Sequence, residues 1–346
     1  GGNRSGAIAI GQQAMYAGPT GDKNIAIGRY ALMDANAGST SLSSTHNIAI
    51  GQLALGGTWT DVASSYNIAI GHHSMDSALN GALYNVAVGN LSLSSVTSAD
   101  GTVAIGYQAL EDLTTGGSNT ALGYRAGMNM TTSGNNTILG YDAFVNAVDA
   151  CNSNVAIGTQ AMITLDRGDN ASTTVNGNIA IGYNALASGD FASLERTFYG
   201  NIAIGKNALD STGTNSQTGS IAIGHDALTN LTSGSQNTAI GYKSGLSLTT
   251  GAQNTILGYQ AGYSITDDNY TTAVGYNACY SVTNSYNTGI GTEALSLTTS
   301  GNINTALGHR AGYTNTTGTQ NVFLGTEAYG SANNASNQIV IGKGAV

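Results

Sequence analysis

Apolar and polar residues alternate along this chain in very short bursts. In "NIAIG", Asn24 to Gly28, Ile25 and Ile27 leave one face of an extended segment while Asn24 and Ala26 leave the other, the two-residue period of a β-strand. Each burst stops at a glycine and enters Ser, Thr, Asn and Gly, which rules out a helix of useful length. Close copies return throughout: "NIAIGQLAL", "TVAIGYQAL", "NTALGYRAG", "NTILGYQAG". Taking the glycine after the apolar triplet as position 0, it recurs at 19 places from Gly11 to Gly342, and ten of the 18 intervals are 17 residues. The remaining intervals run from 16 to 24 residues, so a basic rung accepts insertions.

Two further positions repeat. Position +3 is alanine in 16 copies and serine in three, small enough for a second backbone to pass close by. Position −4 is asparagine in 14 of 19, including Asn24, Asn47, Asn67, Asn85, Asn119 and Asn136, with Thr102, Ser220 and Thr271 as substitutes. Asparagines stacked one rung apart hydrogen-bond side chain to side chain, so this position predicts a structural ladder.

A strand this short is unstable alone, but rungs stacked ~4.8 Å apart share backbone hydrogen bonds. The pattern therefore predicts an all-β fold, a parallel β-solenoid or β-roll. It forms one repetitive domain over residues 1–346 with about 19 rungs, on the order of 90 Å long. Longer insertions are expected around residues 33–46, 56–66, 163–177 and 187–200. One or two small aliphatic residues per strand give a thin core, so several chains are expected to associate and cover the alanine-rich faces.

Composition narrows the function classes. Charged residues are 8% of the chain, against roughly 25% in ordinary soluble domains. A single proline, Pro19, and the absence of a three-residue glycine period exclude a collagen helix. No run of 18 apolar residues occurs, so no segment reads as a membrane-spanning helix. The formal charge of −9 opposes a phosphate-backbone partner, and nucleic acid is excluded on that ground. Cys151 and Cys279 lie about seven rungs apart, roughly 34 Å, too far for an intrachain disulfide. Cys279 stands where other copies have leucine or methionine and reads as a core residue.

The "N-x-A-I-G-x-x-A" unit resembles the head repeats of trimeric autotransporter adhesins. "NTALGYRAG" and "NTAIGYKSG" at 17-residue spacing look still more like the repeat regions of bacteriophage tail fibres. The resemblance spans Ala7 to Val346, and it implies a fibrous homotrimer at a virion or cell surface. The chain shows no heptad stalk, apolar anchor or chaperone domain of the kind full-length members carry, so it reads as a shaft.

Tyrosine at position +1 in Tyr107, Tyr124 and Tyr141, and again in Tyr242, Tyr259 and Tyr276, predicts two aromatic ladders. Exposed, they would stack on sugar rings; inward, they would pack between chains. His72, His225 and His309 take the same position and read as ladder variants, with no metal constellation among them. The long intervals supply the candidate receptor-binding residues: Trp59, Asp166, Arg167, Asp169, Phe191, Arg196, Phe198 and Tyr199. Aromatic residues beside polar groups on loops suit carbohydrates. The "RGD" at Arg167 to Asp169 reads as a solvated turn. Sequons such as Asn170 and Asn230 have chance frequency in so Ser/Thr/Asn-rich a chain. Asp267 and Asp268 fit no calcium-loop pattern. No phosphate loop, serine elbow or H-E-x-x-H occurs, so catalysis is not expected. Asp166 and Glu195 are the one acidic pair with which glycoside hydrolysis could be imagined. No cofactor is expected. The reading is the shaft and receptor-binding part of an extracellular attachment fibre, with surface polysaccharide or a protein receptor as partner. The alternatives are a self-assembling structural filament and a cellular adhesin head.

Overall fold

The computed structural model describes residues 5–16, 21–33, 43–60, 62–147, 151–163, 174–187, 197–211 and 215–344. The fold is an all-β parallel solenoid of stacked three-residue strands, one per repeat. The chain divides into two compact units, Gly1–Gly177 and Asn178–Val346. Among the described residues of the first, nine repeat strands from Ile8–Ile10 to Val155–Ile157 pair in parallel in chain order. The second has ten, from Ile179–Ile181 to Ile339–Ile341. Register matches like with like: Thr120 lies beside Thr137, Ala121 beside Ile138 and Leu122 beside Leu139.

Backbone hydrogen bonds run between rungs. The Gly28 N–H donates to the Ile10 carbonyl at 2.8 Å, and the Ile25 N–H donates to the Asn47 carbonyl at 2.8 Å, so each strand is bonded on both sides. The turn after the glycine continues the ladder. Positions +2 and +4 adopt left-handed backbone, as in Gln108 (φ 54°) and Leu110 (φ 49°). Such a conformation costs a non-glycine residue ~1–2 kcal/mol. It is held because the Gln108 N–H reaches the Asn90 carbonyl and the Leu110 N–H the Ala126 carbonyl, both at 3.0 Å. The same geometry turns the +4 side chain inward, and Leu55, Leu93, Leu110, Leu209 and Leu228 are all buried.

The alternation along each strand has the opposite sense to the one a hydrophobic core suggests. Ala26, Ala49, Ala104 and Ala121 are fully buried, while Ile25 and Ile27 are only half-buried and Leu122 and Leu139 are exposed. The expectation that alanine-rich faces await a neighbouring chain is therefore corrected: alanine faces inward, and the larger aliphatic side chains face out. Where +4 is leucine, a 17-residue rung leaves too little room for isoleucine at −2 as well. Alanines at −2 and +3 leave the room that the +4 leucine fills, and close packing forbids more.

Asparagine at −4 shares this interior. Asn47 donates from its backbone N–H (2.9 Å) and from Nδ2 (3.2 Å) to Asn24 Oδ1, and its Nδ2 also reaches the Ser64 carbonyl at 2.9 Å. The same linkage joins Asn67 to Asn47, Asn85 to Asn67, Asn136 to Asn119 and Asn154 to Asn136. Every buried amide so arranged has partners for its oxygen and both hydrogens, the condition under which buried polar groups are tolerated. Thr102 and Thr271 interrupt the column, and their buried Oγ1 atoms have no partner among the described residues. Thr102→Asn is therefore expected to join the Asn85 and Asn119 segments and to stabilise the fold by about 1 kcal/mol. A rise in thermal midpoint measured by circular dichroism checks this; an unchanged or lower midpoint contradicts it.

Candidate functional surface

What the rungs present outward is set by their register. Positions −3 and −1 form two parallel columns on the sheet face. In the second unit, Thr238, Thr255, Thr272, Thr288 and Thr305 align beside Ile240, Leu257, Val274, Ile290 and Leu307. Leu257, Ile290 and Leu307 are exposed, as are Leu122, Leu139 and Ile70 in the first unit. These two columns hold no charged residue.

Tyrosine columns lie outside the sheet face. Tyr107, Tyr124 and Tyr141 stack at centroid distances of 5.2 and 5.1 Å with planes 19° and 7° apart. Tyr242, Tyr259 and Tyr276 repeat this at 5.2 and 5.4 Å, and His225 packs obliquely on Tyr242 at 5.6 Å. All six tyrosines are exposed, but each lies with its ring faces along the stack and its edge to solvent. Face-on stacking of a sugar within a ladder is thus blocked by the neighbouring ring. Three more stacks went unnoticed in the sequence: His46, Tyr66 and Tyr84 at position −5 in the first unit, and in the second Tyr270 with Tyr286 at −5 and Tyr263 with Tyr280 at +5. Aligning every copy on its glycine, rather than reading only the residue after it, would have found them.

Position +2 holds ion pairs between rungs. Arg125 grips Asp142 through Nε (2.7 Å) and Nη2 (2.6 Å), a bidentate geometry, and Arg310 Nε meets Glu293 Oε2 at 2.5 Å. The Asp142 hydrogen bonds hold the Arg125 guanidinium even more firmly protonated than usual.

The candidate receptor-binding residues separate. Trp59 and Phe198 are fully buried, which corrects their placement on an exposed surface. Phe198 sits at the centre of the strand Thr197–Tyr199, with Thr197 and Tyr199 turned outward and Tyr199 58% exposed. This strand and Gln217–Thr218 form an additional parallel ribbon in the second unit, as Cys151–Asn152 and Thr174–Asn176 do in the first. Asp166, Arg167, Asp169, Phe191 and Arg196 lie outside the described residues, as do Asn170 and Glu195. Cys151 and Cys279 are buried in the interior, and burial pushes the Cys279 thiol up to about 12.

Among the described residues no three His, Cys, Asp or Glu side chains converge as metal ligands, and no helix is long and apolar enough to cross a membrane. Asp268 is buried with its Oδ2 unpartnered among the described residues. Burial, and then the neighbouring Asp267 charge, push its carboxyl up to about 6. A folded-state value above the ordinary 3.8 means that the folded form binds the proton more tightly. Its contribution to stability is therefore fully present below pH ~4 and is lost as pH rises through about 6. Asp268→Asn, which removes the charge, is expected to raise the thermal midpoint at pH 7.5 and to change it little at pH 4. Equal shifts at the two pH values would contradict this account.

The geometry defines a class: a parallel β-solenoid of in-register rungs, an architecture many fibrous and repeat proteins use. Compared with family models, curated proteins and solved structures, the chain matches none of them.

Proposed function

We propose that this chain forms the shaft and receptor-binding part of an extracellular attachment fibre of the tail-fibre kind, acting as a non-catalytic homotrimer. The observation that supports this best is the uncharged sheet face, where threonine and aliphatic side chains stand in two columns within each unit. An extended apolar stripe on a soluble protein marks an interaction surface. At ~10 Å wide and ~4.8 Å per rung, nine or ten rungs offer roughly 450 Å² per partner in each unit. Identical rungs make the surface self-complementary, so other copies of the chain are its natural cover.

A repeat array of this kind presents the same weak contact many times, and multivalency converts that into durable attachment. Edge-on tyrosines and the hydroxyl-rich corners suit hydrogen bonding to surface polysaccharide better than ring stacking. Sedimentation equilibrium of the full chain is expected to give three times the chain mass. Leu122→Glu with Leu257→Glu is expected to give single chains whose circular dichroism still reports β-structure, and to abolish binding to immobilised cell-surface polysaccharide. A wild-type monomer would overturn the trimer. Open-ended polymers would favour the structural filament. Trimers without polysaccharide binding would leave a shaft whose receptor contacts lie elsewhere.

A further inference from the structure

The stacked tyrosines place phenols in pairs that a one-electron oxidant would join. Among the described residues, seven tyrosine pairs on adjacent rungs have ring centroids 5.0–5.4 Å apart and planes within 19° of parallel. The closest is Tyr263 with Tyr280, at 5.0 Å and 8°. Their backbones are tied together, since the Arg125 N–H donates to the Tyr107 carbonyl and the Asp142 N–H to the Tyr124 carbonyl, each at 2.9–3.0 Å. The ring edges reach solvent, with Tyr124 and Tyr259 each more than 40% exposed. Side chains fixed side by side in this way react at high effective concentration.

We propose that these columns are sites of oxidative tyrosine cross-linking, where dityrosine bonds staple successive rungs of the solenoid. The oxidant class is a haem peroxidase using hydrogen peroxide. Each of two neighbouring phenols loses one electron to the oxidant and its hydroxyl proton to water. The two phenoxyl radicals couple through a bond between ortho carbons. Each of those carbons then gives up its hydrogen as a proton, each phenoxyl oxygen regains one, and aromaticity returns. Two electrons and two protons leave per bond, and one hydrogen peroxide takes them up to become two waters. Each bond closes a loop of about one rung, which restricts the unfolded chain as a disulfide does. A fibre exposed to the environment gains resistance to unfolding and proteolysis from such staples, whatever surface it binds.

The molecule contains its own controls. Tyr183 and Tyr199, 46% and 58% exposed, lie within the exposure range of the ladder tyrosines but stack on no other ring among the described residues. The experiment treats the folded full-length chain with a haem peroxidase and hydrogen peroxide, then maps cross-linked peptides by mass spectrometry after digestion. Dityrosine is expected between Tyr107, Tyr124 and Tyr141, between Tyr242, Tyr259 and Tyr276, and between Tyr263 and Tyr280. The yield should be roughly tenfold or more above any pair containing Tyr183 or Tyr199. The treated chain should keep single-chain mobility on a denaturing gel and show a raised thermal midpoint. Tyr124→Phe is expected to abolish both bonds of its ladder and to leave Tyr263–Tyr280 intact. Cross-links spread over all exposed tyrosines regardless of stacking, or found only between chains, would overturn the proposal. So would the same pattern and yield from the chain oxidised in denaturant.

Discussion

Gly123→Ala is expected to unfold its part of the solenoid, and Gly101→Ala, the same change 22 residues earlier, to be mild. Gly123 occupies position 0 with φ +145°, a region that side-chain-bearing residues rarely enter. An added Cβ would lie 2.2 Å from the Gly140 carbonyl oxygen and 2.7 Å from its carbon. Both atoms are backbone, so only separation of two rungs relieves the contact. Separation in turn breaks the ladder bond by which the Gly140 N–H donates to the Leu122 carbonyl at 2.9 Å. Strain of ~1–3 kcal/mol from the dihedral adds to the clash, and the sum falls among the exceptional, fold-breaking substitutions above ~4–5 kcal/mol. Gly101 also has positive φ, +62°, but nothing lies within 4 Å of its virtual Cβ. Alanine there should cost about 1 kcal/mol. Thermal unfolding followed by circular dichroism, with soluble yield as a second readout, separates the two. Comparable losses at both sites would mean that glycine stacking does not hold the rungs.

This stacked glycine also explains why so much of the fold was legible. A residue that tolerates no side chain must recur wherever a rung recurs, so the period, strand positions and parallel register could be read from glycine spacing alone. The −4 asparagine was legible for a related reason, since its side chain bonds to its own kind one rung away. The facing of the strand was not. "Ile-Ala-Ile" alternates in either sense, and preferring the larger side chains for the interior is wrong at −2 where the +4 leucine already fills the space. Trp59 and Phe198 escaped for a different reason: their long intervals were open to loops or lateral strands carrying a binding surface, whereas both side chains are buried. The tyrosine edges could not be inferred either, because ring orientation depends on how neighbouring rungs present their side chains and not on the residue type.

The interior instead obeys a trade between neighbouring rungs, and that trade is testable. Where position +4 is leucine, the −2 residue of the next rung is alanine, as with Leu110 and Ala121 or Leu295 and Ala306. Where +4 is glycine, the space passes to a larger −2 side chain. A Cβ on Gly127 would meet Ile138 Cδ1 at 2.8 Å, one on Gly245 would meet Ile256 Cδ1 at 3.0 Å, and one on Gly312 would meet Phe323 Cδ2 at 2.6 Å. Gly262 precedes Ala273 but has Ile256 and Ile265 against it, so the volume is again filled. Phe323→Ala alone is expected to cost ~3–5 kcal/mol by opening a cavity in the core. Gly312→Leu alone should also destabilise, because Phe323 and Leu295 already occupy the site. Together they recreate the Leu295–Ala306 arrangement. Leu295 itself adopts φ 52° at the equivalent position, so the backbone of residue 312, at φ +62°, already suits leucine. The double variant should therefore be more stable than either single one, with a coupling energy of ~2 kcal/mol or more in a denaturant-based double-mutant cycle. Simple additivity would show that the paired occupancy of +4 and −2 is coincidental, and that each rung packs without regard to its neighbour.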